Sequence, residues 1–495
     1  MQTIAIDLTS PWTPNSVTVV ASNKSAEALE SSSLLGRWPD MWYDQTADLV
    51  YSIGGLSYNP DGENYATDAE VLPTLWGFNP QGNGSVDWES QSSNSQGASL
   101  RSNIAGGLSA TSPTGHYNLG GYIDLDTAGD CVALEEMVSY NSGNQSWYNL
   151  TLAEHYMWGG AQYVPIYGAS GVILFFGGYW PIDRSVGAPS TLATLDTILI
   201  YDIHTNRFFK QQASNPPPGR AYFCSVTAGA SNNESYEMCV RCTPVTPKLH
   251  TISASDFYRH SFIYGGAPDW STPVSQSLAD DFRSVYILTV PAFQWLEVPN
   301  KSPTRRLGHT CSVIGKRQMI SIGGTQEPEQ MKWDPWTKGL GIFDMTTLNW
   351  TNAYDAAAPA YEQPSLVSQF YANGSRYPIT WGDPELQSIF KTTNGTNISS
   401  GNSSSNSNSN SNSNSGGHNP VTTTNGTTSG NDSSVVGGVI GGIAALAIVG
   451  SLCWRLHRYR EKEKQGLQSQ NPAELQATCR IFELASSPQV HELPV

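Results

Sequence analysis

Short apolar or aromatic runs ending in a pair of glycines recur along the chain. They are LVYSIGG closing at Gly54-Gly55, HYNLGG at Gly120-Gly121, ILFFGG at Gly177-Gly178, FIYGG at Gly265-Gly266 and QMISIGG at Gly323-Gly324. After each comes a second apolar run and an aromatic: Trp88, Trp147, Phe208, Trp295 and Trp350. The gaps from diglycine to aromatic are 34, 27, 31, 30 and 27 residues, and successive diglycines are 66, 57, 88 and 58 residues apart. Such runs read as short β-strands, and their period marks a repeated β-unit. A four-stranded unit cannot bury both faces alone, so units of this kind pack radially around an axis. Gly-Gly lets the backbone turn where a side chain would clash. The aromatic is expected to pack between neighbouring units.

Strand-like segments around the diglycines carry a family resemblance. DTILIYDIHTNRF (196–208), RSVYILTVPAFQW (283–295) and GLGIFDMTTLNW (339–350) follow diglycines, while GRAYFCSV (219–226) and RRLGHTCSVIGKRQMISIGG (305–324) precede or contain them. The pattern resembles the kelch repeat, and more narrowly the fungal secreted and membrane-anchored kelch proteins with a galactose-oxidase-like central domain. The resemblance covers about residues 1–391. It implies an all-β, kelch-type β-propeller of about six blades, the first incomplete, in a class of propellers that mostly bind.

Two places depart from the period. TIAIDLTSPW (3–12) reads as a third strand ending at Trp12, which puts its diglycine ahead of Met1. The first blade is therefore expected to lack its inner strands, and the true start, with a signal peptide, to lie upstream. The 88-residue interval is too long by one short insert, CVRCTPVTPKLHTISASDFYR (239–259). Without it, SYEM joins HSFIYGG as one alternating strand, so a retained intron is expected there, with a long loop as the alternative.

The polar pattern changes after Lys391. Residues 392–434 are rich in Ser, Asn and Thr, a composition that cannot offset the entropy cost of folding, and are expected to form a glycosylated stalk. Residues 435–454, VVGGVIGGIAALAIVGSLCW, carry no charge over 20 residues, enough for one transmembrane helix. The basic RLHRYREKEK follows, so the tail, 455–495, is expected to be cytoplasmic and disordered, with the N-terminal ectodomain outside a plasma membrane. N-x-S/T sequons stand at Asn23, Asn83, Asn144, Asn149, Asn233, Asn300, Asn349, Asn373, Asn394, Asn397, Asn402, Asn425 and Asn431, all before the span. That asymmetry points to a secretory glycoprotein.

Composition narrows the chemistry. The net charge is −16, so the chain lacks the basic footprint of a nucleic-acid binder. Seven Cys in 495 residues do not make a disulfide scaffold. Cys239 and Cys242 form a CxxC without a second ligand pair, so no zinc site is assigned. Cys224 and Cys311 occupy similar first-strand positions in successive blades, as a disulfide or as two buried thiols. A copper radical oxidase like galactose oxidase is the enzymatic alternative. It needs Tyr and His ligands, but spacing singles out none of His116, His155, His204, His250, His260 and His309. No catalytic residue, cofactor or metal is assigned. Trp180 in GGYWP and Trp270 in GGAPDW are candidates for stacking on sugar rings, with packing between blades as their other use. The expected function is binding, without catalysis, of an extracellular glycan, wall polysaccharide or protein. A structural spacer in the wall is a further alternative.

Overall fold

The computed structural model describes residues 2–23, 39–55, 75–79, 88–93, 104–124, 131–152, 154–181, 190–229, 259–267, 281–326 and 334–391. The chain begins with a two-stranded antiparallel sheet, β1 (Gln2–Ile6) with β2 (Val19–Asn23). Five four-stranded antiparallel blades follow, each a meander in chain order. Blade one is β3 (Asp40–Asp44), β4 (Leu49–Ile53), β5 (Leu75–Phe78) and β6 (Glu89–Gln91). Blade two is β7 (Leu108–Ser112) and β8 (Gly115–Leu119), then, after a small ribbon of β9 (Tyr122–Asp124) and β10 (Cys131–Ala133), β11 (Glu136–Asn141) and β12 (Ser146–Thr151). Blade three is β13 (Gly160–Val164), β14 (Val172–Phe176), β17 (Thr197–Asp202) and β18 (Arg207–Gln212), with the ribbon β15 (Tyr179–Pro181) and β16 (Ser190–Leu192) between its second and third strands. Blade four is β19 (Ala221–Gly229), β20 (Arg259–Ala267), β21 (Val285–Val290) and β22 (Gln294–Glu297). Blade five is β23 (Thr310–Ile314), β24 (Gln318–Ile322), β25 (Leu340–Asp344) and β26 (Asn349–Thr351).

The expected count of about six blades is thus corrected to five, plus one two-stranded sheet. Among the described residues the segment before β3 forms two strands, which pair as a two-stranded sheet. The expected strand over 3–12 is also shorter. It stops at Ile6, and Trp12 instead forms an isolated bridge with Tyr354, its indole 5.3 Å from that ring. Trp12, Val17, Ile6 and Leu8 pack on Ile314, Ile320, Leu340 and Ile342, which seats this sheet against the fifth blade.

All five diglycines turn with positive φ, from +66° to +93°. Except in blade five, the second glycine donates its N–H to a carbonyl at the start of the next blade: Gly55 to Ile104 at 2.8 Å, Gly121 to Tyr156 at 2.7 Å, Gly178 to Arg220 at 2.9 Å and Gly266 to Arg306 at 2.7 Å. The first glycine admits that approach. A Cβ on Gly54 would stand 2.7 Å from the Ile104 carbonyl oxygen, on Gly120 2.3 Å from that of Tyr156, and on Gly265 2.3 Å from that of Arg306. On Gly323 it would meet nothing within 4 Å.

Three of the five downstream aromatics meet rings across a seam, while Trp88 packs on Phe78 and Phe208 on Phe175 and Tyr201 within their own blades. Trp147 meets Trp42 of blade one edge-on at 6.1 Å, Trp295 meets Phe176 of blade three at 6.0 Å, and Trp350 meets Tyr264 of blade four at 4.7 Å. The Trp295 indole also donates to the Leu195 carbonyl at 2.8 Å.

Two helices, not anticipated from the sequence, end the described chain. α1 (Ser365–Asn373) buries Val367 on the fourth and fifth blades. In α2 (Pro384–Lys391), Leu386 and Phe390 are buried against blades three and four, and the Asp383 side chain accepts from the Glu385 N–H as an N-cap. No helix among the described residues is long and apolar enough to cross a membrane. The segments expected as stalk (392–434), span (435–454) and tail (455–495) lie outside the described residues, as do 230–258, with most of the suspected insert.

Gly120 and Gly323 share φ +68° but differ in surroundings, which gives an internal control. Gly323→Ala is expected to cost about 1–2 kcal/mol, the left-handed penalty alone. Gly120→Ala is expected to cost at least about 3 kcal/mol, because the Tyr156 carbonyl must also move. Urea unfolding of both variants measures the difference.

Candidate functional site

The first strand of every blade faces the axis, where two cavities lie. One, of about 280 Å³, is lined at the far ends of these strands by Trp42, Thr111, His116, Gln162, Thr227 and Cys311, among others. The other, of about 320 Å³, opens where the strands begin, between Asp40, Asn118, Trp158, Tyr222 and His309.

The mouth of the second cavity is organised by backbone. Gly106, Trp158, Tyr222 and Gly308 each stand two residues after the carbonyl that receives a diglycine N–H, and all four have positive φ, +68°, +58°, +58° and +63°. Their peptides form a chain around the axis: Trp158 N–H to Gly106 O at 2.8 Å, Tyr222 N–H to Trp158 O at 3.0 Å, Gly308 N–H to Tyr222 O at 2.9 Å. Two blades use glycine there, as the conformation favours. The other two hold a tryptophan and a tyrosine in a region where bulky side chains are strained. The indole of Trp158 lies 4.9 Å from the Tyr222 ring, and a Cβ on Gly106 would come within 2.8 Å of it. Trp158 is half-buried, so part of its surface remains open.

Polar groups sit beside these rings. Asp40 Oδ2 accepts from His116 Nε2 at 2.7 Å and from Asn118 Nδ2 at 2.5 Å. His116 Nδ1 pairs with Thr111 Oγ1 at 2.9 Å, and Trp42 stacks on the imidazole at 4.2 Å. Burial pushes the Asp40 carboxyl upward. The charge of His116 and the hydrogen bonds from His116, Asn118 and Ser109 outweigh it and hold Asp40 below the usual aspartate range. Burial, with the nearby Arg306 charge, takes His309 down to about 3, against a smaller upward pull from the Tyr264 backbone, so its ring is neutral near pH 7.

Two buried arginines brace the site from behind. Arg220 Nη1 donates to the Gly265 carbonyl at 3.2 Å, and Arg306 Nη1 to the Gly323 carbonyl at 3.1 Å while also gripping Asp334. Each therefore satisfies the first carbonyl of its own blade's diglycine. Burial pushes the Arg220 guanidinium down to about 10.

The residues singled out from sequence are placed as follows. Trp180 lies 5.9 Å edge-on from Tyr156 and packs beside the second and third blades, the packing use of the two foreseen. Trp270 and His250 lie outside the described residues, as do Asn83, Asn233, Asn394, Asn397, Asn402, Asn425, Asn431, Cys239 and Cys242. Asn144, Asn300, Asn349 and Asn373 are exposed, Asn149 is half-buried, and Asn23 ends β2. Asn300 Nδ2 donates to Asn349 Oδ1 at 2.7 Å, so a glycan on Asn300 would displace that contact. Cys224 and Cys311 form a disulfide between β19 and β23 with Cα atoms 5.5 Å apart, which resolves the two readings of that pair. Among the described residues the histidines do not gather into one ligand set. Only His309 joins a metal-capable group, with Cys224 and Cys311. Sequence reading missed Asp40, Asn118, Trp158 and Tyr222. For Trp158 and Tyr222 the signal was a place at the start of a first strand that Gly106 and Gly308 hold in two other blades, and Asp40 and Asn118 left none.

Because the folded-state pKa of Asp40 is depressed, its contribution to stability is present above the unfolded value, about 3.9, and is lost as pH falls through the lower folded value. Asp40→Asn is expected to cost about 2 kcal/mol near neutral pH, and its deficit against the unaltered protein to close in acid. Urea denaturation from pH 7 to pH 2.5 tests this.

No family model matches the chain. A Kelch repeat-containing protein of Arthroderma benhamiae is 25% identical over 211 residues, which are 42% of this chain and 26% of that protein. The chain thus matches about a quarter of that relative's length. The repeated diglycines and the five four-stranded blades thus make a propeller that is similar, over that stretch, to a kelch repeat-containing protein.

Proposed function

We propose that this protein is a cell-surface binding propeller, without catalysis, that takes a neutral glycan such as a wall polysaccharide at the mouth between Trp158 and Tyr222. The observation that carries this reading is the pair of aromatics held at φ +58° where the neighbouring blades use glycine. Trp158 is half-buried and Tyr222 is buried in an apolar cluster, so both rings also pack, but backbone strain of this kind concentrates at ligand sites. An indole face suits the C–H face of a pyranose. Asp40, Asn118 and Ser109 border the same cavity and offer acceptors and donors for ring hydroxyls. The cavity volume of about 320 Å³ suits one or two sugar units of a longer chain.

The position of the C-terminal helix agrees with a surface role. α2 ends against the β13–β14 turn, where Gly168 N–H meets the Ile389 carbonyl at 3.4 Å. That is the opposite face from the Trp158–Tyr222 mouth, so the mouth is turned away from the point where the chain continues past Lys391. A single span at 435–454, with glycans on the sequons before it, completes the proposed placement.

Trp158→Gly separates recognition from folding, because glycine relieves the strained φ. The purified full-length chain, tested on an array of wall polysaccharides, is expected to bind one class saturably. The variant is expected to lose at least about tenfold in affinity, or about 1.4 kcal/mol, with a melting temperature within about 2 °C. A folded protein that binds no glycan, or a variant that binds as well as the unaltered chain, would overturn the reading.

A further inference from the structure

The seam between the fourth and fifth blades brings two sulfurs and one imidazole together. Cys224 lies on β19, Cys311 on β23, and His309 stands two residues ahead of Cys311. A ligand atom of each lies within 4.8 Å of the other two. His309 is 8% exposed, and neither of its ring nitrogens makes a hydrogen bond of full geometry, its weaker contact being with the Tyr264 backbone. Buried polar groups are ordinarily well paired, so this ring calls for an explanation beyond packing.

Two thiolates and a neutral imidazole are a donor set for a thiophilic d¹⁰ ion. Zinc holds sulfur at about 2.3 Å and imidazole nitrogen at about 2.0–2.1 Å, which places the donors roughly 3.5 Å apart in a tetrahedron. The two sulfurs, bonded to each other in the oxidised form, must move apart by roughly 1.5 Å after reduction, and the imidazole must close to a similar donor spacing. His309 borders the axial cavity at the strand starts, and Cys311 the one at their far ends.

We propose that Cys224, Cys311 and His309 form a redox-gated metal site: a disulfide staple between blades when oxidised, and a Cys₂His site for zinc(II) when reduced. The step balances. Two thiols of a reductant transfer two electrons to the Cys224–Cys311 bond, become a disulfide themselves, and leave two cysteine thiols. Zinc then displaces one proton from each thiol and takes the His309 lone pair. Reoxidation by a disulfide reforms the staple and expels the ion.

The test uses the full-length chain carrying Cys239→Ser and Cys242→Ser, which removes the other closely spaced thiol pair. The protein is reduced with a phosphine, freed of reductant under argon and titrated with cobalt(II) as the optical probe, then with zinc(II). One equivalent of cobalt with sulfur-to-cobalt charge-transfer absorption is expected in the reduced protein and none in the oxidised protein. Zinc is expected to displace it. His309→Ala is expected to weaken binding at least about tenfold, and Cys311→Ser to abolish the charge-transfer band. Three results would overturn the proposal: no uptake by reduced, folded protein; equal uptake by the oxidised form; or unchanged affinity in His309→Ala. Should reduction lower the melting temperature, zinc is expected to restore it, and failure to do so counts against the site equally.

Discussion

A single backbone contact sets the geometry of this molecule: the N–H of the second glycine in a blade meeting a carbonyl at the start of the next blade. It forms at four successive seams, from Gly55–Ile104 to Gly266–Arg306, at 2.7–2.9 Å. The contact requires positive φ at two consecutive residues and space that a Cβ would occupy, so each seam calls for two glycines. Two residues beyond each receiving carbonyl, the chain turns left-handed again, and the peptides of Gly106, Trp158, Tyr222 and Gly308 bond to one another about the axis. The side chains at those four positions are therefore fixed in place by the same contacts that join the blades. Aromatic rings at two of them form the mouth.

Three of the four seams add a side-chain tie along the axis to this common contact. Asp40 joins blade one to His116 and Asn118 of blade two. Gln162 on β13 bonds Ser225 at 2.8 Å and Thr227 at 2.6 Å on β19. Cys224 and Cys311 join blades four and five covalently. These ties line the channel rather than the outer rim, so changes that alter the axial surface also alter how blades are held. Axial lining and cohesion share residues here, and Asp40 is the clearest case, a buried acid that both bridges a seam and borders the cavity at the strand starts.

The fold was largely legible because its essential residues are local and periodic. Diglycines and downstream aromatics are spaced by blade geometry, and Trp147, Trp295 and Trp350 pack across seams as their positions implied. The blade count was less legible, because the pattern near Trp12 resembles a blade strand, while among the described residues there β1 and β2 pair with each other and Trp12 bridges to Tyr354. The helices α1 and α2 escaped notice because they are short and their apolar faces are set by the blades they cover. The site was mostly illegible. Asp40 and His116 are 76 residues apart, and no local spacing joins them. Trp158 and Tyr222 carry meaning only once they are superposed on Gly106 and Gly308, which needs the positions of the blades.

Residue-resolved hydrogen exchange at the diglycine amides tests the central contact directly. The amides of Gly55, Gly121, Gly178 and Gly266 are expected to exchange only through global unfolding. The amide of Gly324, which makes no such bond to a described residue, is expected to exchange at least about a hundredfold faster. Equal, fast exchange at all five would show that the blades are not held at these carbonyls, and the account of the axial mouth would fall with them.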